Sequence, residues 1–383
     1  MNSIDPKICG ICRYDESEVE FETRCSHYFH KRCLESWFNK GKKTCPYCTR
    51  EISNSEVLER VLSEQNYEFI ISLSEKEKKE IFLYSIAEKN MKLFMFLIEH
   101  FESIKYNDFR GWNLFHQVCK ARNMEVLDTL NRIGSDVNEK DENGNCPIHL
   151  ACENGFFDML NKLIELGADV NCKNNDEKSP LHFACENGHL DIANKLIELG
   201  ADIHCKNNCG KTPLHVACEN GHLDIVDKLI ELGADIHYET DYGATPLNDA
   251  CITGNFDIVS KLIELGADIH CKNNFGETPL HYACINGNFD IFDKLIELGV
   301  DIHCKSTYEE TPLHYACKRG NFDIANKLIE LGADIHCKTT YEETPLHYAC
   351  KNDNFDIANR LIELGTDVNC KDNYGKTPLQ YSC

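Results

Sequence analysis

The chain has 383 residues, with 63 Asp+Glu against 40 Lys+Arg for a net charge of −23, and it carries 23 Cys and 17 His. That length is two domains or one long array. No apolar run is long enough to span a bilayer and Met1–Cys12 has no secretory character, so a soluble chain in a reducing compartment is expected, cytoplasmic with the nucleus left open, its Cys serving as metal ligands or buried thiols. Phosphate binding needs a positive field, so an acidic chain also excludes a nucleic-acid partner.

Residues 1–50 differ from the rest. They hold 9 Lys+Arg and 7 Asp+Glu, net +2, whereas residues 51–383 hold 31 and 56, net −25. Within them Cys and His fall in pairs: Cys9 with Cys12, Cys25 with His27, His30 with Cys33, and Cys45 with Cys48. Four pairs of borderline-soft ligands supply two tetrahedral Zn²⁺ sites. The apolar residues between them (Ile8, Ile11, Val19, Phe21, Phe29, Leu34, Trp37, Phe38) are too few for a core, so metal must contribute the folding free energy.

This spacing, with His27 and His30 as adjacent ligands, resembles the RING finger of the variety with two adjacent His. A PHD finger is disfavoured, because the fourth ligand is His27 rather than Cys and Lys43 stands where that family has an aromatic. The resemblance implies a cross-braced pairing, with Cys9, Cys12, His30 and Cys33 on the first zinc and Cys25, His27, Cys45 and Cys48 on the second. It also implies ubiquitin-ligase activity through an apolar groove for a ubiquitin-charged conjugating enzyme, at Ile11, Trp37 and Pro46. The alternative for these three is a role in the small domain's own core. Many active members carry Arg directly after the last ligand. Here Thr49 stands there and Arg50 comes one residue late, which counts against strong single-handed activation. No catalytic nucleophile is expected, since a zinc-bound thiolate is not free for thioester chemistry and catalysis would be positioning.

Residues 51–79 read as a helical linker. Val57, Leu58, Val61 and Leu62 recur at helical spacing after Ser55, a suitable N-cap, and Ser74–Glu80 is a charged helical start. Such a helix would hold the zinc module at a set distance, or pair two chains as a homodimer.

From residue 80 to 383 the chain is periodic. Eight of its ten Pro stand at 147, 180, 213, 246, 279, 312, 345 and 378, each 33 residues after the last. Thr precedes Pro in six cases, Ser179 and Cys146 in the others. Thr as N-cap with Pro as the first helical residue is a strong helix start. Gly188, Gly221, Gly254, Gly287 and Gly320 end the first helix, and a second apolar run such as Asp191–Ile197 stops at Gly200. A loop with turn residues follows, as at Asn207, Asn208 and Gly210. The unit is helix, turn, helix, loop, and neither helix can bury its apolar face alone, so neighbours must stack.

The run Thr212-Pro213-Leu214-His215-Val216-Ala217, the pair Gly221-His222 and Gly233-Ala234-Asp235 resemble the ankyrin repeat. The resemblance implies a mostly α protein, a small zinc-binding RING domain followed by an α-solenoid of about nine units. The first two units are degenerate, with Asn113–His116 and Glu80–His100 standing in for them. The last stops at Cys383 inside its first helix, reading as a truncation or an unusual half-cap.

Seventeen Cys remain in the repeats, nine of them five residues after the Pro position and six after the second helix. Packing is the expected role of the first group. A metal ladder built on His204-Cys205, His270-Cys271, His303-Cys304 and His336-Cys337 is disfavoured, because adjacent residues chelate poorly. The resemblance makes His182, His215, His281, His314 and His347 structural, tying loop to helix start. Four residues before successive Pro stand Tyr242, Phe275, Tyr308, Tyr341 and Tyr374. The resemblance places these at the tips of the hairpin fingers, where they would contact a basic or amphipathic protein partner or stack on one another. Tyr282, Tyr315 and Tyr348 enrich the same half of the array. Asn248-Asp249 interrupts the His-apolar pattern without explanation.

The expected function is that of a ubiquitin ligase whose RING recruits the charged conjugating enzyme and whose repeats bind the substrate protein. The alternative is a zinc-folded scaffold without enzymatic activity, which Thr49 favours. A metal-storage protein would need zinc beyond two ions per chain.

Overall fold

The computed structural model describes residues 21–22, 28–29, 75–87, 90–100, 114–132 and 134–382. The chain divides into two compact units, Met1–Asp136 and Val137–Cys383.

In the first unit, strands β1 (Phe21–Glu22) and β2 (Tyr28–Phe29) pair antiparallel, Phe21 opposite Phe29. Among the described residues four helices follow: α1 (Glu75–Ala87), α2 (Met91–His100), α3 (Leu114–Ala121) and α4 (Met124–Arg132). The charged run expected to begin a helix does so at Glu75, and α1 continues through residue 80. Leu114 opens α3 where later units have Pro. Ile81, Phe82, Ile86, Leu93, Phe94, Leu97, Phe115, Val118, Val126, Leu127 and Leu130 are buried, and the Phe82 and Phe94 rings meet edge-on at 5.2 Å. Asn123 Nδ2 donates to the Ile86 carbonyl at 3.0 Å, joining α1 to the α3–α4 turn.

The second unit repeats one plan. Its first helices, such as Pro213–Asn220, begin with Pro after a cap residue in extended conformation, and its second helices, such as Leu223–Glu231, follow a tight turn. The pattern runs to Phe355–Glu363 and ends in a 3₁₀ turn, Pro378–Tyr381. Leu and Ala on the first helix (Leu214, Ala217) and Ile, Val and Leu on the second (Ile225, Val226, Leu229) are buried at helical spacing. First helices of neighbouring units pack side by side, and so do second helices. The turn Gly is required where neighbours touch: Gly254 has φ +80°, and a Cβ there would lie 2.6 Å from Asn288 Oδ1, whose amide donates to the Cys251 carbonyl.

The structural role expected of the repeat His is borne out and extended. In each of six units the ring Nδ1 accepts the N–H of the cap residue, as His182 does from Ser179 at 3.2 Å and His281 from Thr278 at 3.1 Å. The proton therefore sits on Nε2, which donates to a carbonyl about one unit further on: Lys211 from His182 at 3.0 Å, Glu310 from His281 at 3.3 Å. One side chain thus caps its own helix and holds the next unit.

Asn248 copies half of this. Its Oδ1 accepts from Thr245 N at 2.9 Å, but its buried Nδ2 has no partner. Beside it Asp249 is buried against Lys211 at 3.2 Å with Oδ2 unpartnered, and burial pushes its carboxyl up to about 6. An unsatisfied buried amide costs about 1–3 kcal/mol. Asn248→His, which would return a donor to the next loop, is expected to raise stability by about 1–2 kcal/mol in urea unfolding. An unchanged or lowered midpoint would refute this account of the break.

Candidate functional site

β1 and β2 bracket the segment 23–27, which carries Cys25 and His27 in sequence, and His30 follows β2 directly. The expected ligands Cys9, Cys12, Cys25, His27, His30, Cys33, Cys45 and Cys48 lie outside the described residues, as do Ile11, Trp37, Pro46 and linker residues 51–74. The donor set itself, six thiols and two imidazoles in closely spaced pairs, suits Zn²⁺.

The array offers a second surface, at the tips of its loops. Each loop closes on itself, as in Asn273, whose N–H donates to the Glu277 carbonyl and whose Oδ1 accepts from Phe275 and Glu277 N–H. Successive tips are then joined backbone to backbone. Asn274 N donates to Tyr242 O, Thr307 N to Phe275 O, Thr340 N to Tyr308 O and Asn373 N to Tyr341 O, at 2.8–3.0 Å. The carbonyls of Tyr242, Phe275, Tyr308 and Tyr341 are therefore fixed in register, while the rings of these four and of Tyr374 are between 44 and 71% exposed. Tyr308 and Tyr341 also stack on each other, their ring centroids 6.2 Å apart, as the stacking alternative expected.

Tyr282, Tyr315 and Tyr348, grouped from sequence with these aromatics, do something different. Tyr315 and Tyr348 are buried and their hydroxyls donate to carboxylates: Tyr315 to Glu277 and Glu310, both at 2.8 Å, and Tyr348 to Glu310 at 2.6 Å. Tyr282 donates to Glu277 at 3.0 Å. Burial, reinforced by these carboxylates, pushes all three phenols up. Glu310 thus bridges two units behind the exposed ladder, a role with no signature in a single repeat.

The geometry of the described residues gives the metal ladder no support. His204, His270, His303 and His336 are exposed, whereas each following Cys turns toward a cap hydroxyl, as Cys271 does to Thr245 at 3.4 Å. The first-helix thiols (Cys152, Cys185, Cys251, Cys317) are fully buried and pushed up by that burial, inert packing groups as expected. Among the described residues no helix is long and apolar enough to cross a membrane.

Comparison with known families places both parts. "Ring finger domain" matches residues 7–49. "Ankyrin repeats (3 copies)" matches 115–207, 181–273 and 261–339, and "Ankyrin repeats (many copies)" matches 328–382. Among curated proteins, the chain is 35% identical over 57 residues to Brassinosteroid-responsive RING protein 1 of Arabidopsis thaliana, over 14% of this chain and 34% of that protein. It is 35% identical over 51 residues to E3 ubiquitin-protein ligase RNF13 of Homo sapiens, 13% of each chain. It is also 40% identical over 47 residues to RING-H2 finger protein ATL81 of A. thaliana, 12% of this chain and 14% of that one. The chain therefore spans about a third or less of the length of these relatives. With ankyrin matches through more than half of its residues and a Ring finger match ahead of them, the chain belongs to the ankyrin-repeat family and carries a RING finger at residues 7–49.

Proposed function

We propose that the protein is a RING-type E3 ubiquitin-protein ligase whose ankyrin array captures the protein to be modified. The observation that carries this reading is the Ring finger match at 7–49, together with relatives of the same stretch that are named as E3 ligases. Two zinc ions, held by the two Cys₃His sets, would fold the module and leave Ile11, Trp37 and Pro46 to seat a ubiquitin-charged conjugating enzyme. No protein nucleophile takes part. The ligase holds the partner's thioester in a conformation open to a substrate lysine, and proximity supplies the rate. The exposed aromatic ladder, backed by the Tyr–Glu network on a strongly acidic chain, suits a basic or amphipathic segment of substrate.

Self-modification by the full chain with a panel of conjugating enzymes tests this. Wild type should modify its own lysines with at least one enzyme. Ile11→Ala and Trp37→Ala should each lower transfer tenfold or more, since groove truncation of an anchor costs above about 1.4 kcal/mol. Transfer absent with every enzyme would favour a zinc-folded scaffold, and transfer surviving both substitutions would remove the groove. Tyr308→Ser with Tyr341→Ser should leave self-modification intact while abolishing transfer to captured substrate.

A further inference from the structure

We propose that Cys146 and Cys172 form an oxidisable dithiol, a disulfide-forming modification site that takes a hydroperoxide as its oxidant. The repeat geometry carries the argument. In five units the cap hydroxyl and a Cys 26 residues later come together: Ser179 and Cys205 at 3.3 Å, Thr245 and Cys271 at 3.4 Å, Thr278 and Cys304 at 3.7 Å, Thr311 and Cys337 at 3.7 Å, Thr344 and Cys370 at 4.0 Å. The fold thus delivers these two positions to each other in unit after unit. In the unit that begins at Pro147 the cap is Cys146 and the residue facing it is Cys172, so that sulfur meets sulfur. Both are free thiols and both are buried. Their Sγ atoms and a ring nitrogen of His149 lie within 4.8 Å of one another.

The surroundings favour thiol chemistry over a metal. His149 already uses both nitrogens, Nδ1 accepting from Cys146 N at 2.9 Å and Nε2 donating to Lys178 O at 3.2 Å. Ligating an ion would cost one of these, and with it either the helix cap or the tie to the next unit. The thiols make only long contacts, Cys146 Sγ donating to the Asn138 carbonyl at 3.4 Å and Cys172 Sγ lying 3.8–3.9 Å from the His149 ring nitrogens. The neighbouring Cys172 thiol and His149 lower the Cys146 pKa against burial, while Cys172 is itself raised. Within the pair one sulfur can react as thiolate while the other keeps its proton, and the first role is assigned to Cys146. The oxidant must be small and neutral, because Cys146 is 1% exposed and Cys172 8%.

The Cys146 sulfur attacks one peroxide oxygen. An S–O bond forms, the O–O bond breaks, and the departing hydroxide leaves as water. Cys172 sulfur then attacks Cys146 sulfur, forming S–S and breaking S–O, and its proton leaves with the second water. Two electrons pass from the thiols to the peroxide, so that two thiols and one hydrogen peroxide give one disulfide and two waters.

The test uses the full zinc-loaded chain, treated with hydrogen peroxide, alkylated and digested with trypsin. A reductant-sensitive link should join peptide 141–162 to 163–173, with fragmentation placing it at Cys146 rather than Cys152. Cys146→Thr, which installs the cap residue of six other units, should keep the full helical signal and lose the link. A missing link, a link at Cys152, or one that survives in Cys146→Thr overturns the proposal. A metal ion retained by wild type at this unit, lost in Cys146→Thr and protecting both thiols from peroxide, would overturn it too and make this a metal site. The outcome is independent of ligase activity.

Discussion

Acidification from about pH 7 to about pH 4.5 is expected to unfold the ankyrin array through its buried imidazoles. Burial lowers His182, His215, His281 and His314 to about 4, and His347 moves in the same direction. Protonation is resisted further because Nδ1, the only free ring position, is already the acceptor of the cap N–H. In the unfolded chain these rings protonate near 6.5. The folded state then binds fewer protons, so stability is whole above about pH 6.5 and falls as the pH drops toward 4. Each ring held near 4 removes about 3 kcal/mol across that window, and four together remove on the order of 10 kcal/mol, comparable with the whole stability of a typical domain. Asp249 works in the opposite direction. Its carboxyl is pushed up to about 6 by burial, so lowering the pH through 6 relieves a penalty, but it is one group against four. Urea unfolding followed by the far-UV helical signal should show a midpoint that falls steadily below pH 6.5. His281→Asn, copying the arrangement at Asn248, should be less stable at neutral pH yet lose about a quarter of the acid sensitivity. An array equally stable at pH 4.5 and pH 7 would mean that these rings do not stay neutral in the fold.

Much of this array was legible from the period of Pro alone. A Thr-Pro pair announces a helix start wherever it stands, and the buried Leu, Ala and Ile positions follow from helical spacing. What was not legible is whatever passes between units. The fingertip hydrogen bonds run from one backbone to another 32 residues away, as from Asn274 to Tyr242, and leave no mark on side-chain choice. Tyr315 looks in sequence like one more aromatic for a partner. Only the stacked neighbour shows that its hydroxyl is held by Glu277, 38 residues earlier. Asn248 looked like an error in the pattern, but its amide oxygen takes the position of an imidazole nitrogen. Cys146 stands in sequence where other units have Thr or Ser, and its facing thiol is found only once the two helices leading to Cys172 have folded back. The zinc ligands are the reverse case, readable from spacing because chelation demands short separations, while their three-dimensional arrangement lies outside the described residues.

Removing zinc is expected to abolish ubiquitin transfer completely while leaving the array's helical signal in place. A RING finger has too little apolar surface to fold without its ions, and structural zinc contributes about 10–16 kcal/mol to such small domains. Chelation should therefore unfold residues 1–50 and remove the seat of the conjugating enzyme together. The array draws its stability elsewhere. Its cap imidazoles are engaged by backbone N–H and carbonyl groups, and its helix thiols are buried among Leu and Ala, so none of these requires an ion. Transfer assays and far-UV spectra on the same chelated sample read the two parts separately. Transfer that persists after zinc loss would sink the RING mechanism. A collapse of the helical signal would instead show that the array depends on metal, and restoring zinc should then recover both signals at one concentration. The expected result is a return of transfer alone, over an unchanged helical background, because on the proposed reading the ions fold the zinc module and not the array.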